Sequence, residues 1–117
     1  MATIQRFEEI RAWQAAREIT RRVHQTSNRG AFARDYRLRN QIQRGAVPIM
    51  SNVAEGFESD TQQQFIRFLG HAKTPAGEAR AQLYVALDVG CVEADEVKVL
   101  FELTETCSPQ LSAFMAY

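Results

Sequence analysis

Apolar residues recur at three- and four-residue intervals through four successive stretches of the 117-residue chain, and no stretch alternates apolar and polar residues over a useful length. A helix turns every 3.6 residues, so this spacing gathers each apolar set on one face, whereas a half-buried strand needs period two. In the first stretch Phe7, Ile10, Trp13, Ala16, Thr20 and Val23 form the stripe, with Arg11, Arg17, Arg21 and Arg22 on the outer faces and Asn28 and Gly30 as the stop. The second runs through Leu38, Ile42, Ala46, Ile49, Val53 and Phe57, and Gly56 is placed to end it as a left-handed cap. The third opens on Ser59 and Gln62, a capping-box pair, and continues through Phe65, Phe68, Leu69, Ala72, Ala76, Ala79, Leu83, Ala86 and Leu87 to Gly90. The fourth begins near Asp95 and carries Val97, Leu100, Phe101, Thr104, Cys107, Leu111 and Phe114. Connections are short except for residues 28–35, which sets neighbouring helices antiparallel and predicts an all-α, up-down four-helix bundle over residues 1–117 as one domain.

The middle of the second stretch, QRGAVPIMSNVAEGF, is unusual because Pro48 interrupts a strong helical pattern, as Pro75 does in the third. A proline in a helix interior removes a donor and crowds a carbonyl one turn back, at a cost of about 3 kcal/mol unless a bend or a polar partner compensates. Pro48 frees the carbonyl of Arg44, and Pro75 that of His71. Asn52 and Glu55 lie three apart, on a face other than that of Ile49 and Val53, and are expected to meet a polar element of another helix or another subunit. Arg67, His71 and Arg80 are the candidates within the chain.

No leader pattern and no apolar run of membrane-crossing length is present, which predicts a cytoplasmic protein. Cys91 and Cys107 lack CxxC spacing and fall on helical patterns, so they read as buried free thiols, and no metal site is expected. The formal net charge is zero, yet residues 1–44 hold ten arginines against four acids, +6, and residues 45–117 hold four bases against ten acids, −6. Such asymmetry serves either a basic face for a polyanion or two halves that attract each other within a bundle or between subunits. Arg17, Arg21 and Arg22 on the first helix and Arg37 and Arg44 on the second can form basic strips away from the apolar stripes. The competing arrangement pairs them with Glu93, Asp95, Glu96, Glu102 and Glu105.

Catalytic candidates are few. Glu55 as general base with His71 as acid, and Asn52 orienting a bound group, is the one enzymatic arrangement the residues allow. No Gly-rich phosphate loop or nucleophile set beside a base accompanies it, His24 and His71 lack a neighbouring ligand at helical spacing, and no cofactor is implied. Trp13, Phe65, Phe68 and Phe101 sit at core-facing positions, while Tyr36 and Tyr84 fall off the stripes and are interface candidates. Tyr117 ends the chain.

LRNQIQRGAVPIMSNVAEGF, the FIRFLGHA helix, EARAQLYVALDVG and the opening FEEIRAWQAAREIT together resemble the small four-helix-bundle proteins first noticed as products of intervening sequences in bacterial 23S ribosomal RNA genes. The most specific block is matched by Gln41, Ile42, Arg44, Ser51, Asn52, Ala54, Glu55 and Gly56, of which Arg44, Asn52, Glu55 and Gly56 would serve structure or assembly. The resemblance implies a homo-oligomer, a ring-like pentamer. A related branch, the accessory proteins of diversity-generating retroelements, implies RNA or a nucleic-acid enzyme as partner. Thr74, Pro75, Ala76 and Gly77 depart from the usual Gly-Ser-Leu, and the zero net charge departs from the strongly basic branch. The combined expectation is a non-enzymatic, self-assembling helical module.

Overall fold

The computed structural model describes residues 4–115, the side chains of residue 106 and of 108–115 excepted. A 3-10 turn at Phe7–Glu9 precedes α1 (Arg11–Ser27), and α2 (Gly30–Arg34), α3 (Tyr36–Phe57), α4 (Gln62–Asp88) and α5 (Ala94–Met115) follow. No strand occurs among the described residues. Each long helix packs on the next, α1 on α3, α3 on α4 and α4 on α5, and α5 closes back on α1, which makes an all-α bundle about one helix length long, 45 × 23 × 19 Å. On the α3–α4 seam rising numbers meet falling ones: Gly45 faces Gln82, Asn52 meets His71 and Gly56 abuts Phe65.

The apolar stripes form the core as their spacing requires. Ile10, Ile19, Val23, Ile42, Ile49, Val53, Leu69, Leu83, Val97 and Leu100 are essentially inaccessible, each burial contributing about 1.5–3 kcal/mol. The buried face of α4 is mostly alanine, Ala72, Ala76, Ala79 and Ala86, so its backbone comes close to its neighbours. Trp13 is buried, and Phe65 and Phe101 pack against the core from its edge. Phe68 is half-buried, its ring edge-on to His71. Leu111, Phe114 and Tyr117 lie outside the residues whose side chains are described.

Several boundaries differ from the sequence expectation. Ile10 has extended backbone and only precedes α1, while Phe7 sits on the separate turn and stacks edge-on to Trp13 at 5.2 Å. Residues 28–35 are not a plain loop, because α2 buries Phe32 at 1% exposure. Ser59 does not cap α4. Its hydroxyl donates back to the Gly56 carbonyl, and Thr61 is the N-cap, accepting from the Gln64 N–H at 3.1 Å.

Gly56 is not a left-handed cap either. Positive φ among the described residues is confined to Gly30 and Gly90. Gly90 ends α4 in a Schellman arrangement, with its own N–H on the Leu87 carbonyl and that of Cys91 on Ala86. Gly56 stays helical and buried, and a Cβ there would lie 2.9 Å from Phe68 Cβ and from Phe65 Cδ1. It is a close-approach glycine that lets α4 begin flush against the end of α3.

Candidate functional site

α3 is the centre of the polar chemistry, because two side chains flanking its apolar stripe tie it to both neighbouring helices. On the α1 side, Gln43 donates to Ser27 Oγ at 2.8 Å and to Asn28 Oδ1 at 3.0 Å. Ser27 is fully buried and itself donates to the Val23 carbonyl, so its hydroxyl is satisfied in both roles. On the α4 side, Asn52 Nδ2 donates to the Pro48 carbonyl at 2.8 Å and to the His71 carbonyl at 3.3 Å. The His71 carbonyl is the one Pro75 leaves without its helical N–H, so the Asn52 amide takes over a bond that the proline removes.

Glu55 behaves differently from Asn52. It is exposed and has no ion pair or hydrogen bond among the described residues. Residues three apart on a helix differ by about 60° in direction, and the α4 seam lies on the Asn52 side. The expected partners are engaged elsewhere or turned away: Arg80 pairs with Glu105 at 2.7 Å, Arg67 is exposed, and His71 offers Asn52 its backbone while its exposed imidazole rests against Phe68. No hydrogen bond joins the Glu55 carboxylate to the His71 imidazole among the described residues.

The candidate arginines divide into two groups. Arg21 and Arg22 both bind Glu18 on their own helix, Arg22 Nε at 2.7 Å, and the hydrogen bond from Arg21 above all holds the Glu18 carboxyl below its ordinary range. Arg17 is exposed with its guanidinium over the Trp13 ring at 5.7 Å. Arg37 and Arg44 are exposed on α3 and form no ion pair among the described residues. Pairing between the basic and acidic halves involves other residues, Arg29 with Glu96 at 3.2 Å. Tyr36 is 66% exposed beneath the Arg39 guanidinium, and Tyr84 stacks on Phe101 with centroids 4.6 Å apart.

Two surface cavities flank these features. One of about 280 Å³ lies at the bundle end between Arg29, Gly30, Gly90, Cys91 and Glu96, and one of about 380 Å³ lies over Trp13 and Arg17. Neither is lined by Glu55 or His71. No group of three His, Cys, Asp or Glu side chains is placed to hold a metal ion among the described residues, and no helix there is long and apolar enough to cross a membrane.

Both cysteines are free thiols, Cys107 buried and Cys91 half-buried. Burial pushes the Cys107 thiol up from 9.0 to about 11, and burial with the nearby Asp35 charge raises Cys91. The unfolded chain releases the Cys107 proton near pH 9.0 while the native one keeps it to about 11, so stability falls as pH rises between those values. Relative to Cys107→Ala, the parent is expected to lose up to about 1.4 kcal/mol per pH unit in that window. Urea unfolding of both proteins on either side of the window checks this, and parallel pH curves would contradict it.

Phe32, Thr61, Gln43 and the Gly56 contact are the features that periodicity does not reveal. Only Gln43 had a visible signal, being a polar residue beside the stripe and one turn before Ala46. The sequence profile of the 23S rRNA-intervening sequence proteins matches residues 8–113. No curated protein matches the chain.

Proposed function

The chain belongs to the 23S rRNA-intervening sequence protein family, and we propose that it is a non-enzymatic cytoplasmic scaffold that assembles with copies of itself and thereby presents a surface to other macromolecules. The observation that carries this reading is where the uncommitted side chains lie. They stand on outward helix faces, not in a cleft: Arg37, Arg44 and Val47 on α3, and Val85 and Val89 on α4. Single exposed apolar residues are ordinary, but Ala81, Val85 and Val89 are all exposed at four-residue spacing and line one face of α4. The polar groups best suited to catalysis, Glu55 and His71, are instead exposed and apart in their bonding.

Light scattering coupled to gel filtration tests the assembly. A closed ring of five copies is the expected species, and a 13.3 kDa monomer at micromolar concentration would overturn the reading. A second reading, RNA or a nucleic-acid enzyme as partner, is favoured by the lack of an acid partner for Arg37 and Arg44. Its signature is RNA affinity that is weakly sequence-dependent and falls linearly in log–log form with added salt.

A further inference from the structure

The exposed stripes of α3 and α4 are built to the same spacing with opposite charge. On α3, Arg37, Arg44 and Val47 are exposed at i, i+7 and i+10, and on α4, Glu78, Val85 and Asp88 are exposed at i, i+7 and i+10. Each stripe covers about 15 Å of one helix face, three turns. Val47 is 45% and Val85 49% exposed, so both stripes mix charge with an apolar side chain that gains from being covered. None of the four charged members has an ion pair within the chain among the described residues. Over the whole of α4 the bases Arg67, Lys73 and Arg80 stand against Glu78 and Asp88, so the acidic character belongs to this stripe and not to the helix. Matched excess of both signs on separate surfaces of a neutral chain fits a second copy better than it fits a polyanion, which would be attracted to one surface and repelled by the other.

We infer that the outward stripe of α3 on one copy docks on the outward stripe of α4 on the next, so that the self-interface is heterologous. This rests on the self-assembly reading and names the surfaces that perform it. α3 and α4 are neighbouring helices of a four-cornered bundle, so the two surfaces look out about a quarter turn apart. A head-to-tail contact between surfaces set at an angle turns each copy against the last, and it closes into a small ring where it adds no shift along the helix axes.

Two charge-reversed variants and their mixture test it. Arg37→Glu with Arg44→Glu, and separately Glu78→Lys with Asp88→Lys, should each weaken association on the order of a hundredfold while leaving the helical circular dichroism intact. An equimolar mixture should associate far more strongly than either variant alone, because each variant keeps one natural surface and the two reversed surfaces are complementary; unlike copies then alternate, so the mixed species hold even numbers of copies and a ring of five does not re-form. A parent that is monomeric removes the scaffold reading and this inference together. A parent that assembles, with both variants assembling as well as it does, removes only this inference, since another surface must then hold the ring. Normal assembly of the Arg37→Glu, Arg44→Glu variant with loss of RNA binding assigns the α3 stripe to a polyanion and overturns the docking. If a double variant fails to fold, Arg44→Gln and Asp88→Asn read the same contact: weaker association and a shallower salt dependence support it, and unchanged values overturn it.

Discussion

Gly56→Ala is expected to lower stability by about 2 kcal/mol, although alanine is the better helix former by about 1 kcal/mol. The added methyl would stand 2.9 Å from Phe65 Cδ1 and from Phe68 Cβ, and 3.3 Å from the Phe65 carbonyl oxygen. The Phe65 ring can turn aside. Phe68 Cβ and the Phe65 carbonyl cannot, because both are fixed to the backbone of α4, so relief requires the start of that helix to move off α3. Gly77 is the internal control, since a Cβ there meets nothing within 4 Å and the backbone is already helical. Gly77→Ala should therefore raise stability by about 1 kcal/mol through helix propensity alone. Thermal melts of both variants at one protein concentration check the opposite signs, and a stabilising Gly56→Ala would mean that α4 does not abut α3 as described.

The same glycine shows what periodicity can and cannot convey. A glycine near the end of a helical stripe is usually a left-handed cap, and that reasoning holds for Gly90, with φ of +77°. At Gly56 the competing cause is tertiary: the loop to α4 is short, Ser59 closes the last turn of α3, and the phenylalanines of α4 return over the helix end. Nothing local in the sequence distinguishes the two cases. α2 was hidden for a related reason, because five residues are less than two turns and cannot display a repeat, even though Phe32 is among the most deeply buried side chains. The four long helices were legible because each repeats its apolar spacing over at least four turns, and their core residues follow from it. The polar face of α3 was half legible. Residues three apart share a face only loosely, so Asn52 reaches the α4 seam while Glu55 points past it to solvent. The basic strips were legible as positions but not as free charge, since Glu18 engages Arg21 and Arg22 within their own helix.

The bond from Asn52 to the His71 carbonyl predicts an energetic coupling between two residues that do not bond each other. Asn52→Ala is expected to cost about 1 kcal/mol, because the carbonyl left free by Pro75 loses its replacement donor. In a Pro75→Ala background the residue at 75 regains an N–H, which can bond the His71 carbonyl within α4, and the Asn52 amide is no longer needed there. Asn52→Ala should then cost about 0.5 kcal/mol, the remainder reflecting its bond to the Pro48 carbonyl, so the double-mutant cycle should yield a coupling of about 0.5 kcal/mol. Pro75→Ala alone should stabilise, by less than the roughly 3 kcal/mol a helix-interior proline costs, since Asn52 already offsets part of that cost. The register in which Asn52 meets His71 and Gly45 faces Gln82 sets Pro48 and Pro75 at about the same level of the seam, where Asn52 donates to a carbonyl beside each. Urea titrations of the parent, the two single variants and the double variant measure the coupling. Equal costs of Asn52→Ala in both backgrounds would show that the amide acts on α3 alone, and the two prolines would then need separate explanations.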